Sequence, residues 1–261
     1  MTRQPALFIS HGAPTIVIDP IPAHDFLKSA GPAPRPSAIL VATARFEAPG
    51  PTLTTHPQPA TIHDFGGFPP VMYEMRYPAP GSPALAEHAG QLLSAAGFAP
   101  RFDAQRGFDH GTWTPLMLMV PDADIPVVQL SVDPRRDAAW HFAVGEALAP
   151  LRDDNVLILG SGSLTHDLRA FFTNPLPESA PPEPYVSAFA DWAHAALENG
   201  RTEDLIDWVS RAPHALRNHP TPEHFLPLFV ALGAGGRGVG VKRIHASYSH
   251  GILAMDAYAT G

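Results

Sequence analysis

The sequence predicts an α/β fold, a single domain with a mostly parallel central sheet and helices on both faces. Three observations point there. Short continuous apolar runs, Ala6 to Ile9, Ala38 to Ala42, Ile125 to Leu130 and Asn155 to Leu159, read as strands buried on both faces. Between them lie longer stretches with apolar residues at helical spacing. At 261 residues and 45% hydrophobic, the chain can bury a full core, and one domain over 1–261 accounts for it better than two small ones.

The first run follows Met1-Thr2-Arg3-Gln4-Pro5 directly, with no apolar leader and no stretch near the ~18 residues that span a bilayer. A cytoplasmic protein without membrane association is expected. The second run continues as Thr43-Ala44-Arg45-Phe46-Glu47. Pro83 to Gly97 then carries a helical pattern that ends at a glycine, able to take the left-handed turn that closes a helix. The 125–130 strand is followed by a helix over Ala138 to Leu151. The 155–159 strand leads into Gly160-Ser161-Gly162-Ser163, and a last long helix runs from Val186 to Asn199-Gly200. Prolines gather at 32–36, 68–70, 77–80 and 175–184, which reads as long ordered loops.

Composition narrows the function. A formal net charge of −8 with no basic run argues against a nucleic-acid partner. The absence of cysteine removes disulfides and thiolate chemistry, so any metal must be held by nitrogen and oxygen. Gly160-Ser161-Gly162-Ser163 lacks the lysine of a phosphate-binding P-loop and the full dinucleotide spacing, and no Gly-x-Ser-x-Gly surrounds either serine.

Histidines are the remaining chemical signal. Of 14 in the chain, four sit in turns beside apolar runs: Ser10-His11-Gly12, Asp109-His110-Gly111, Thr165-His166-Asp167 and Glu223-His224-Phe225. A lone histidine is usually structural, and His24, His88, His141, His194, His214 and His245 read that way. The shared setting of the four predicts one polar site at a sheet edge. Ligands of open α/β sheets bind beyond the carboxyl ends of the strands, where His11, Arg45 to Glu47 and Ser161 to His166 fall.

Longer motifs make a family visible. Phe8-Ile9-Ser10-His11-Gly12-Ala13-Pro14, Thr61-Ile62-His63-Asp64-Phe65-Gly66-Gly67-Phe68-Pro69, Tyr77-Pro78-Ala79-Pro80-Gly81, Gly107-Phe108-Asp109-His110-Gly111-Thr112-Trp113, Pro126 to Ser131 and Pro222-Glu223-His224-Phe225-Leu226-Pro227-Leu228 resemble the class III extradiol ring-cleavage dioxygenases of the LigB superfamily, in the 4,5-DOPA dioxygenase branch. The likeness runs nearly end to end. It implies a single α/β domain, a catechol-type aromatic substrate with dioxygen, and a non-haem Fe(II) site that some members fill with zinc. Extradiol cleavage needs the ion held on one face, with positions open for catecholate and dioxygen.

By the same resemblance His11 and His224 are metal ligands, with a third histidine in an Ala-His-Trp segment. This chain has Ala44-Arg45-Phe46 there. An arginine keeps its proton and repels a dication, so it cannot replace that imidazole. Three outcomes are open. Glu47, two residues on in an extended segment, would supply a carboxylate from the same side. His166, which corresponds to a ligand in zinc-filled relatives, would join His11 and His224 in a three-histidine site. Otherwise the metal is lost, leaving a binding protein without oxygen activation, in which Arg45 grips an anionic substrate or pairs with Glu47 or Asp64. The cofactor expectation is therefore one Fe(II) or Zn(II) per chain, or none.

The resemblance also gives His110 and His166 the proton-transfer roles, which suit a side chain of ordinary pKa ~6.5. As a ligand, His166 could not also be a free base. His63 and Asp64 are candidates for substrate contact, with Phe65, Phe68 and Tyr73 as an apolar wall or as simple core. His250 reads as a solvated turn or as pocket lining. A homodimer is the expected assembly if the chain associates, as the commonest for soluble homo-oligomers.

Overall fold

The strands, in a computed structural model describing residues 3–260, are β1 (Ala6–Ser10), β2 (Ala38–Glu47), β3 (Thr52–Thr54), β4 (Arg101–Asp103), β5 (Val127–Val132), β6 (Val156–Gly162), β7 (Lys242–His245), β8 (Tyr248–Ser249), β9 (Leu253–Ala254) and β10 (Ala257–Thr260). Eight form one sheet in the order β4-β3-β5-β2-β6-β1-β10-β7, and β8 pairs with β9 in a short ribbon. The four central strands are the four apolar runs, and they are parallel to one another. Antiparallel pairing begins at the flanks, where β3 meets β5, β10 meets β1 and β7 meets β10.

Alternation along β2 shows why the central runs are apolar throughout. Ile39 and Val41 enter a core with Ile9, Trp113, Leu116 and Leu159. Leu40 and Ala42 point the other way, to Leu85, Leu93, Leu148 and Val230. A period of two with both faces covered produces an unbroken hydrophobic run. The expected helices form over Pro83–Ala95, Ala138–Leu148 and Pro184–Glu198. The first two are capped by Ser82 and Asp137, whose side chains accept from the backbone N–H of Leu85 and Trp140.

Two features of the fold set up the site. β2 runs on to Glu47, so Arg45 lies on the sheet itself. β6 runs through Gly162, so the Gly-Ser-Gly segment is strand and not loop. Its glycines admit the chain that carries His224: a Cβ at Gly160 would lie 2.3 Å from the Pro227 carbonyl oxygen, and one at Gly162 would lie 2.2 Å from that of His224. The helix Leu226–Gly235 that follows is buried over nearly its whole length, and its start is thereby pressed onto the end of β6. Among the described residues no helix is long and apolar enough to cross a membrane.

Candidate active site

At the carboxyl ends of β1, β2 and β6 a cavity of about 520 Å³ opens. His11 reaches it from the end of β1, where its backbone N–H donates to the Gly162 carbonyl at 2.9 Å. Arg45 comes from β2, His166 from the segment after β6, and His224 from the approach to the Leu226–Gly235 helix. His110 is the first residue of a buried helix, His110–Met119, which Asp109 caps by accepting from the Thr112 N–H.

Three of the imidazoles, buried His11 and His224 and half-buried His166, are held neutral. Burial drives His11 well below the ordinary histidine pKa, and the neighbouring His110, His224 and His166 push the same way. Burial also lowers His224, against the hydrogen bond and charge of Glu223. It lowers His166 strongly, helped by the adjacent His224. The rings of His166 and His224 stack with centroids 3.4 Å apart and planes at 16°. Those of His11 and His224 are 5.6 Å apart.

Partners on the far side fix which nitrogen faces the cavity. Ser161 donates its hydroxyl to the Gly111 carbonyl, so at 3.0 Å from His11 Nδ1 its oxygen must accept. The proton of His11 is then on Nδ1, and Nε2 keeps its lone pair. His224 Nδ1 lies 2.8 Å from Glu223 Oε1. Burial works to raise the Glu223 carboxyl, but the hydrogen bond and charge of His224 and the hydrogen bond of Thr221 together outweigh it and hold it down at about 2. An ionised carboxylate accepts only, so His224 also leaves Nε2 unprotonated. This carboxylate–histidine pairing is the one that orients metal-binding imidazoles. His166, Glu223 and His224 each offer a ligand atom within 4.8 Å of the others. One Glu223 oxygen is already engaged by His224, and Nε2 of His11 is a further nitrogen donor lining the same cavity, so nitrogen and oxygen donors suited to a divalent ion are gathered here.

The adjoining wall, where the His110 ring lies 5.4 Å from that of His11, is ionic. Arg45 donates from Nε to Asp64 Oδ2 at 2.9 Å and from Nη2 to the Asp64 carbonyl at 3.1 Å. Asp64 Oδ1 accepts from the His110 backbone N–H at 2.9 Å and lies 3.0 Å from His110 Nδ1. Burial alone would raise the Asp64 carboxyl, but His110 and Arg45 together hold it well below the carboxylate range. His110 must therefore donate from Nδ1, which leaves its Nε2 as the nitrogen not engaged by Asp64. Phe65 and Phe68 border the cavity on one side, and Phe171, Phe172 and His250 on the other.

Six residues singled out from the sequence thus meet: His11, Arg45, Asp64, His110, His166 and His224. Arg45 pairs with Asp64 and not with Glu47, which is exposed at the end of β2. His63 lies behind the wall, its Nε2 3.1 Å from the Met75 carbonyl and its ring against Phe65, Tyr73 and Trp113. Tyr73 likewise backs Phe65 at 5.3 Å. Sequence reasoning missed the roles of Glu223 and Ser161. Glu223 had a signal, a carboxylate next to a candidate ligand. Ser161 had none, since it is 150 residues from His11.

Comparison with known proteins decides the family. The profile described as the catalytic LigB subunit of aromatic ring-opening dioxygenase matches residues 5–257. The chain belongs to the LigB family. It is 44% identical over 256 residues to a 4,5-DOPA dioxygenase extradiol of Beta vulgaris, covering 96% of this chain and 94% of that protein. Against the Escherichia coli K12 protein of the same description it is 43% identical over 237 residues, with coverage of 89% and 86%. An Escherichia coli K12 crystal structure described as an uncharacterized protein superposes with a TM-score of 0.81 at 34% identity, covering 99% of this chain and all of that one. As a LigB-family member this chain is an aromatic ring-opening dioxygenase, an oxidoreductase.

Proposed function

We propose that this LigB-family protein cleaves a catechol-type ring in the extradiol manner, with one divalent ion on His11, His166 and His224 and with His110 as the proton-transfer group. The observation that carries this is the division of the cavity: three neutral imidazoles, His11 and His224 buried and His166 half-buried, on one wall and an Arg45–Asp64–His110 chain on the adjoining one. A bound non-haem Fe(II) would bring catecholate and dioxygen into one coordination sphere. The protein's part is to bind, orient and move protons. Phe65, Phe68 and Phe171 flank a flat ring and exclude water. His110 Nε2 accepts a proton from a substrate hydroxyl and returns it as the ring opens, since Asp64 fixes its other nitrogen as a donor. Arg45 secures Asp64 through Nε and Nη2, leaving Nη1 without a hydrogen-bond partner among the described residues at the cavity wall, where it meets a substrate oxygen. With His166 a ligand, His110 carries the proton transfer alone.

One observation favours a second reading, a metal-free pocket: the Arg45 charge acts on His11, His166 and His224 alike, and a cation there opposes another cation. Oxygen uptake by anaerobically Fe(II)-loaded protein, mixed with a panel of simple and carboxylated catechols, separates the two. Equimolar uptake with a ring-opened chromophore is expected. No uptake with any catechol by metal-loaded protein would overturn the catalytic reading.

A further inference from the structure

A second cavity, of about 360 Å³, shares no lining residue with the first. It lies beside the turn after β2, Pro49-Gly50-Pro51, and beneath the start of the Ala138–Leu148 helix. Arg101, Arg135 and Arg136 converge on it, and Asp133 is the one carboxylate among its lining residues. That carboxylate is already engaged. Arg135 grips it with Nε and Nη2, both at 2.9 Å, and the Gly50 N–H donates to it at 3.0 Å. Arg101 and Arg136 are left without a side-chain hydrogen bond or ion pair among the described residues. The cavity therefore carries two uncompensated guanidinium charges on a chain whose formal net charge is −8.

Part of the lining is aromatic. Phe98 and Trp140 meet edge to face, with centroids 5.5 Å apart and planes at 89°. The Trp140 indole N–H has no partner among the described residues, which adds a neutral donor to the lining. Guanidinium forks bind oxyanions through paired hydrogen bonds, and the aromatic faces take an apolar planar body. The volume lies in the range of small-ligand sites.

We infer that this cavity is a binding site, separate from the ring-opening centre, for a small planar dianion whose anionic oxygens bridge Arg101 and Arg136 while its ring lies on Trp140 and Phe98. The shared chemistry is an aromatic body with an adjoining dianion, supplied either by two carboxylates or by a phosphate. Isothermal titration of the metal-free protein with phthalate and with phenyl phosphate distinguishes these sources, with benzoate as a singly charged control.

The expected result is saturable binding of at least one dianion, weaker binding of benzoate, and a loss of about tenfold for each arginine removed in Arg101→Ala and Arg136→Ala. Both side chains are exposed and unpaired, so these variants keep the parent's thermal unfolding. An Arg101→Lys/Arg136→Lys variant should recover part of the affinity, because it restores charge without the fork. Binding of phthalate alone or phenyl phosphate alone, abolished in the alanine variants, names the source. Absence of binding by both, or binding that survives both alanine substitutions, overturns the inference.

Discussion

The two walls of the candidate active-site cavity put histidine to different uses. On the His11–His166–His224 side, burial keeps the rings neutral, and Ser161 and Glu223 take the outer N–H of His11 and His224 so that the inner nitrogens are lone pairs. On the His110 side the ring belongs to an ionic chain, with Asp64 ionised between it and Arg45. The first arrangement suits holding a cation, and the second suits moving a proton. The difference shows how one residue type can serve both tasks within a few ångströms: what sits behind the ring decides what its front can do.

Substitutions should separate the walls. His110→Gln is expected to lower kcat by about 10²–10⁴-fold while metal content stays at the parent level. Metal analysis alongside steady-state oxygen uptake checks both, and loss of metal would join what the comparison divides. Glu223→Gln should do the reverse, weakening metal affinity about 10–100-fold because His224 loses the carboxylate that sets its tautomer. Ser161→Ala takes a neutral acceptor from His11 and a donor from the Gly111 carbonyl, so a smaller loss, about tenfold in metal affinity, is expected by competition against a chelator.

The smallest effect is on stability. The Glu223 carboxyl lies at about 2 in the folded protein, below its ordinary value of ~4.3. A depressed carboxylate stabilises the fold fully above the ordinary value, and that contribution fades as pH falls toward 2. Denaturant unfolding of metal-free parent and Glu223→Gln should therefore differ by about 1–2 kcal/mol at neutral pH. The gap should close between pH ~4.3 and ~2. A constant gap across that window would show that Glu223 does not act through its charge.

How much of this was readable in advance depended on the range of the interaction. The four central strands and three long helices were visible as local patterns, because burial on both faces or on one stripe writes itself into spacing. Short flanking strands such as Thr52–Thr54 and Ala257–Thr260 were not, since their pairing is set by tertiary neighbours. The helix His110–Met119 hid behind Pro115 and an apolar run with little amphipathic contrast. At the site, the turn histidines and Arg45 were legible, and the Asp64 partner of Arg45 was one of the pairings expected for a pocket without metal. The tautomers were not legible, because they rest on contacts such as His11 to Ser161 that only the folded sheet creates.

Metal content after anaerobic loading with Fe(II) and desalting is the most direct test of the neutral-imidazole wall. Parent protein should retain close to one ion per chain, Arg45→Ala should retain it at least as well, and His11→Ala and His224→Ala should not. A parent that holds no metal, or histidine variants that hold as much as the parent, would contradict the assignment of that wall to a metal.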